Sequence, residues 1–195
     1  MITIIDYGAG NLCSVRNTLY ELGIEHTVVN TPEALRAATS IILPGVGHFG
    51  QMMHALDTLG LRQPLVDQFR ELTPYLGICL GMQALFEASE EAPGVAGLGI
   101  LPGVVRRFPQ EARVPHMGWN QPQDVTVKPP RPSDYYYFAH SYYAPVDRHI
   151  ACEVCNYGGV DFMASLQNTN TFGVQYHPEK SGPIGLQVIR GFAKC

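Results

Sequence analysis

The chain opens on an unbroken apolar run, Ile2 to Ile5, that Asp6 and a glycine-containing stretch bring to a stop. Leu12, Val15, Leu19 and Leu22 then recur at the spacing of an amphipathic helix, which Gly23 ends. The alternation repeats. His26 to Asn30 and Ser40 to Leu43 read as strands, and Phe49, Met52, Met53 and Leu56 mark a second helix. Pro64 suits the first turn of a third helix carrying Leu65, Phe69 and Leu72. Tyr75 to Ile78 reads as a buried strand running into a further helical segment from Leu80 to Ala88. Beyond Pro93 the texture changes to short strand-like pieces: Gly103 to Phe108, Asp124 to Lys128, Tyr135 to Ala139, Ile150 to Val154 and Asp161 to Leu166. Thr171 to Gln175 adds a strand, and Ile184, Val188 and Phe192 close the chain with a helix. Alternation followed by strand runs predicts a three-layer α/β fold: a mainly parallel central sheet flanked by helices, with an antiparallel extension.

Composition narrows this picture. At 195 residues and 46% hydrophobic, residues 1–195 fit one domain with a sizeable core, and there is no internal repeat. Lys128 to Pro132 reads as a surface turn rather than a linker. A net charge of −4 and a pI near 5.9, with no basic run longer than Arg106-Arg107, leave no footprint for nucleic acid or an anionic membrane. A small molecule or a protein partner is expected instead. Cys13, Cys79, Cys152, Cys155 and Cys195 are odd in number and lack the dense spacing of a secreted disulfide framework, which suggests a reducing compartment. Met1 to Asp6 has neither a basic leader nor an apolar stretch long enough for a signal or a span, so a cytoplasmic location is expected.

The segment richest in chemistry is Gly77-Ile78-Cys79-Leu80-Gly81-Met82-Gln83. G-x-C-x-G between a strand and a helix is the cysteine form of the nucleophile elbow. A strained turn lifts the sulfur above the sheet, the glycines let strand and helix approach, and the helix N-terminus favours a thiolate. The N–H of Leu80 then faces a tetrahedral oxyanion. Taken alone, Cys79 could equally be a small buried apolar residue. A thiolate also needs a general base, and the base needs a group that fixes its tautomer. Tyr176-His177-Pro178-Glu179-Lys180-Ser181 supplies both as His177 and Glu179, after a predicted strand, with Pro178 biasing His177 toward extended backbone. A zinc deaminase would place P-C-x-x-C after H-x-E, yet only Cys195 follows His177-Pro178-Glu179. Cys152-Glu153-Val154-Cys155 lies in a predicted strand without a second ligand pair, so no metal is expected.

The elbow with a distant His-Pro-Glu resembles the class I, or triad, glutamine amidotransferases, which hydrolyse glutamine to glutamate and ammonia without a cofactor. Ile5 to Leu12, Leu43-Pro44-Gly45-Val46-Gly47-His48-Phe49-Gly50 and Pro115-His116-Met117-Gly118-Trp119-Asn120 are similar to one branch of that family, the glutaminase subunits of imidazole glycerol phosphate synthases in histidine biosynthesis. Pro-Gly-Val-Gly is the discriminating detail, since relatives such as the pyridoxal phosphate synthase glutaminase carry Pro-Gly-Gly. The resemblance implies Cys79, His177 and Glu179 as the triad, and Leu80 and Val46 as oxyanion donors. It places Gly45 and Gly47 beside the glutamine carbonyl, and Gln83, Glu91, His140, Ser141 and Tyr142 around the rest of L-glutamine. Asn11, Trp119 and Lys180 are implied at a partner interface. The implied partner is a (β/α)8-barrel cyclase, forming a heterodimer, that binds a phosphorylated ribulosyl-formimino-carboxamide. This chain has no G-x-x-x-x-G-K-[ST] of its own. Ammonia must reach the partner by a dry route, because protonation removes its nucleophilicity. The alternatives are a glutaminase of another synthase, a catalytically silent α/β interaction domain, and a cysteine peptidase on the same scaffold.

Overall fold

The computed structural model describes residues 1–8, 11–124, 131–132 and 134–195. Its first half is β1 (Ile2–Ile5), α1 (Leu12–Glu21), β2 (His26–Val29), α2 (Pro32–Arg36), β3 (Ile41–Gly45), α3 (Phe49–Thr58), α4 (Arg62–Arg70) and β4 (Tyr75–Cys79). There follow α5 (Leu80–Gln83), β5 (Phe86–Ser89), β6 (Leu101–Arg107), β7 (His116–Asn120), β8 (Gln123–Asp124), β9 (Arg131–Pro132), β10 (Tyr136–His140) and β11 (Tyr142–Tyr143). The chain finishes with β12 (Ala151–Tyr157), β13 (Val160–Asn168), β14 (Thr171–Val174) and α6 (Gly182–Phe192).

One sheet carries the order β2-β1-β3-β4-β14-β13-β12-β8-β9. From β2 to β14 neighbouring strands are parallel, and from β14 onward they are antiparallel. This is the α/β arrangement that the alternating pattern predicts. β1, β3 and β4 are buried throughout, as strands covered on both faces must be, which is why they read as continuous apolar runs. Successive residues divide between two cores. Ile2, Ile4, Ile42, Leu76 and Ile78 pack with Val15 and Leu19 of α1 and with Ile189 and Phe192 of α6. Ile5, Ile41, Leu43 and Tyr75 pack with Phe49, Met52, Met53 and Leu56 of α3 and with Leu65 of α4. No helix among the described residues is long and apolar enough to cross a membrane.

Several elements depart from the sequence pattern for identifiable reasons. The helix expected from Leu80 to Ala88 is a single turn, and the chain then enters β5, where Phe86 pairs with Leu101 and becomes buried. Ladder formation overrides helical periodicity there. Helix α2 is too short to show a period, but it has a local signature: Thr31 accepts a hydrogen bond from the Ala34 N–H, with Pro32 in the first position. His116 to Asn120, whose glycine and asparagine suggest a loop, is strand β7 paired with β10. The strand expected over residues 124–128 begins at Gln123 as β8, and residues 125–128 lie outside the described residues, as do residues 128–130 of the expected turn.

The turn from β4 into α5 sits tightly on β3. A Cβ on Gly81 would run into the Leu43 carbonyl oxygen, and one on Gly77 would lie 2.5 Å from the Gly81 carbonyl oxygen. Both obstacles are backbone and cannot rotate away. Gly81→Ala is expected to lower stability by about 1–3 kcal/mol in a chemical denaturation series. Gly191→Ala, on the exposed side of α6 with nothing within 4 Å of the new methyl, should raise it by up to about 1 kcal/mol. Equal responses from the two variants would contradict the close-packing argument.

Candidate active site

Cys79 is the last residue of β4 and sits at φ 52° and ψ −107°, in the left-handed half of the map although it carries a side chain. Such a backbone costs roughly 1–2 kcal/mol, and the close seating of α5 on β3 enforces it. Strand β14 runs parallel beside β4, with Val174 opposite Ile78, so both strands end at the same edge of the sheet. The residues leaving β14 therefore arrive next to Cys79. Gln175 Nε2 lies 3.5 Å from the Cys79 sulfur, and the His177 ring is within hydrogen-bonding reach of it.

His177 is extended at φ −102° and ψ 94°, as a residue before proline should be, and Pro178–Lys180 form one 3-10 turn that swings Glu179 back under the ring. His177 Nδ1 is 2.8 Å from Glu179 Oε1, and the two side chains are 2% and 0% exposed. This leaves Nε2 for the cysteine. Burial works against a charged imidazole, but the hydrogen bond and charge of Cys79, and then those of Glu179, outweigh it and hold His177 up at about 10. Asn11 Nδ2 donates to the same Glu179 Oε1 at 2.7 Å, and Ser14 Oγ donates to Asn11 Oδ1 at 2.6 Å. The His177 backbone is pinned too: its N–H donates to the Tyr137 carbonyl at 2.8 Å, and its carbonyl accepts from Ser181 Oγ at 2.7 Å.

A cavity of about 260 Å³ opens above the sulfur. Its walls bring together Cys79, His177, Val46, Gly47, Leu80, Gln83, Glu91, His140, Ser141, Tyr142 and Lys180. It is smaller than the ~300–1,000 Å³ of sites for drug-sized ligands and suits one small metabolite. Gly45 lies beneath, paired with Cys79 across β3 and β4, and Glu179 lies behind His177. Gln83 Nε2 donates to the Tyr142 carbonyl and to Gln175 Oε1, both at 2.9 Å. Glu91 Oε2 accepts from the Phe49 N–H at 2.7 Å, so one of its oxygens caps α3. Asn11 sits on Glu179 rather than on the cavity wall, and Trp119 stands outside the cavity with 57% of its surface exposed. A larger groove of about 530 Å³ lies against α6, but no histidine lines it. Among the described residues no group of three or more His, Cys, Asp or Glu side chains could hold a metal ion.

Four neighbours of the site were not singled out from the sequence as functional. Gln175 is two residues before His177 in an extended run, so strand alternation could have pointed to it. Tyr7 is buried with its hydroxyl lacking a hydrogen-bond partner among the described residues, burial pushes its phenol well up, and the Val46 backbone lies beside it. His116 and Asn120 join His140 behind the cavity: His116 Nδ1 is 3.0 Å from His140 Nε2, and His140 Nδ1 is 2.8 Å from the Tyr142 carbonyl oxygen. Burial pushes His116 down to about 4 and His140 down to about 3.

Comparison with known proteins shows the family and the fold. The family model for glutamine amidotransferase class-I matches residues 3–194. The imidazole glycerol phosphate synthase subunit HisH of Methanothermobacter thermautotrophicus is 44% identical over 197 residues, covering 100% of this chain and 98% of that one. The chloroplastic imidazole glycerol phosphate synthase hisHF of Arabidopsis thaliana is 44% identical over 98% of this chain but only 34% of its own. A crystal structure of a glutamine amidotransferase superposes with a TM-score of 0.75 at 17% identity, covering 100% of both chains, which bears on the fold alone.

The two kinds of histidine give opposite pH dependences. His116 and His140 protonate near 6.5 when unfolded but only near 4 and 3 when folded, so their contribution to stability is complete above pH 6.5 and is lost as pH falls toward those values. His177 protonates near 10 when folded, so its contribution is complete below pH 6.5 and is lost as pH rises through about 10. It adds no slope on the acid side. Denaturation midpoints are therefore expected to fall between pH 6.5 and about 4, and to fall less in His116→Asn. An identical acid slope in the variant would contradict the neutral-pair assignment.

Proposed function

The chain belongs to the class-I glutamine amidotransferase family and, within it, to the glutaminase subunits of imidazole glycerol phosphate synthase that serve histidine biosynthesis; we propose that Cys79, His177 and Glu179 carry its chemistry. The observation that carries this reading is the buried Cys79–His177–Glu179 array at the floor of a cavity sized for one small metabolite. Cys79 attacks the side-chain amide carbon of glutamine as a thiolate. His177, charged beside it, gives its Nε2 proton to the departing ammonia and later takes one from the water that opens the γ-glutamyl thioester. Glu179 fixes the ring with Nδ1 as donor, and Asn11 in turn fixes Glu179.

Two backbone donors complete the site. Leu80 opens α5, so its N–H has no partner inside the helix and faces the developing oxyanion. The Val46 backbone lies beside the Tyr7 phenol and on the cavity wall, and turning its N–H into the cavity supplies the second donor. Gln83, Glu91 and the His140-Ser141-Tyr142 backbone hold the amino and carboxylate groups of glutamine, with Gly45 and Gly47 at its carbonyl. The ammonia passes to a cyclase, a (β/α)8-barrel subunit in a heterodimer with this chain. The Arabidopsis hisHF chain, only 34% of which this chain covers, supports that partnership. The exposed Met117, Trp119 and Lys180 suit the docking face.

The reading is tested by glutamate release from glutamine, with and without the purified cyclase and its ribulosyl ligand. Wild type should be stimulated by partner and ligand together, and Cys79→Ser should lose turnover. Turnover indifferent to the partner would break the docking proposal, and turnover that survives Cys79→Ser would remove the cysteine from the chemistry. Val46→Pro, which lacks the amide hydrogen, should fall about a hundredfold below the stimulated wild type, the loss expected from one missing oxyanion donor. Full stimulation of that variant would rule out Val46 as a donor.

A further inference from the structure

With the cavity read as a glutamine site, the Tyr142 peptide on its wall must be held in one orientation, and the molecule holds it through a chain of side chains that starts at Asn120 on β7. Asn120 Nδ2 lies 3.4 Å from His116 Nε2, His116 Nδ1 lies 3.0 Å from His140 Nε2, and His140 Nδ1 lies 2.8 Å from the Tyr142 carbonyl oxygen. Chemistry fixes the direction of every bond. A carbonyl only accepts, so His140 carries its proton on Nδ1. Burial keeps both rings neutral, so His140 Nε2 accepts and His116 donates from Nδ1. His116 Nε2 is then an acceptor, which the Asn120 amide satisfies. Only one arrangement of protons fits the chain.

The two rings are not neighbours by accident of packing. His116 stands directly opposite His140 in the β7–β10 ladder, and its ring stacks on Tyr157 at a centroid distance of 4.0 Å. The Tyr142 carbonyl takes its second bond from Gln83, Gln83 bonds Gln175, and Gln175 reaches the Cys79 sulfur. The other face of the same ladder is turned outward: Met117 and Trp119 of β7 are 64% and 57% exposed, with Trp119 in edge-to-face contact with Tyr137. Tyr137 also accepts the His177 N–H through its carbonyl. The ladder is thus one plate with an exposed aromatic face and a face bonded to the site.

We propose that His116 and Asn120 are positioning residues that couple the seating of glutamine against the Tyr142 peptide to the strand presenting Met117 and Trp119. Trp119 makes this readable, since it is the sole tryptophan and does not line the cavity. The full chain carrying Cys79→Ser is titrated with L-glutamine while tryptophan emission is followed, and affinity is measured separately by equilibrium dialysis. Glutamine should change the emission of this parent. Adding His116→Phe, which keeps the ring stacking but removes the donor, should weaken glutamine roughly tenfold, equivalent to about 1.4 kcal/mol, and abolish the emission change even at saturation. His116→Asn should recover most of the affinity, because its amide can reach His140 Nε2 from the same side. Asn120→Ala, at a half-buried position that should tolerate the change, should keep affinity within about threefold and lose the emission change.

A folded His116→Phe with parental affinity and emission change would overturn the proposal. So would His116→Asn no better than His116→Phe, which would reduce the role of the ring to packing. If His116→Phe does not fold, the emission change in Asn120→Ala decides, and its survival counts against the chain. A parent that binds no glutamine overturns the glutaminase reading itself, and the coupling with it, and is told apart because the loss precedes any change at His116.

Discussion

The turn joining β4 to α5 holds Cys79 in the left-handed half of conformational space, and the site is arranged around keeping it there. β4 lies between β3 and β14 in the parallel part of the sheet, so its end has no freedom to slip. The Tyr75 hydroxyl, at the start of the strand, donates to the Gly81 carbonyl at 2.8 Å and ties the strand to the helical turn that follows it. Gly81 in turn presses its bare Cα side against the Leu43 carbonyl. Strain of about 1–2 kcal/mol is easily sustained by contacts of this kind, and it delivers the sulfur to the cavity instead of the core.

Around that fixed sulfur, one residue type is used in two opposite electrostatic roles. His177, His116 and His140 are all buried, and burial alone favours the neutral ring in each. His177 escapes because Cys79 lies on one side of the ring and Glu179 on the other, with Asn11 donating to the same Glu179 oxygen, Oε1, that His177 uses. His116 and His140 have only each other, a carbonyl and an amide, so they stay neutral and act as directional hydrogen-bond links. In the proposed mechanism the charged ring moves protons, and the neutral pair holds a wall still. The difference is made entirely by what each ring nitrogen faces.

Much of this is legible in the amino-acid sequence. The period of apolar residues gave β1, α1, β3, α3 and β4 because strands covered on both faces and helices covered on one leave unambiguous patterns. Cys79 and His177 stood out because an elbow and a His-Pro-Glu carry local steric and electrostatic demands. What was not legible depends on long-range pairing. Periodicity alone reads β5 as helix, since its partner β6 decides its form, and β7 has the composition of a loop until it is paired with β10. Asn11 meets Glu179 across 168 residues, and no spacing rule reaches that far. His116 and His140 became a pair only through the register that sets them opposite one another.

On this mechanism the strained backbone singles out Cys79, one of five cysteines, as the nucleophile for glutamine. The most direct measurement is peptide mapping by mass spectrometry after treating the protein, in the presence of the cyclase partner, with a glutamine-analogue diazo-ketone. A single adduct is expected on buried Cys79, suppressed by excess L-glutamine, with exposed Cys13 and Cys195 unmodified. Adducts on the exposed cysteines with Cys79 untouched, or labelling of Cys79 that glutamine does not slow, would contradict it.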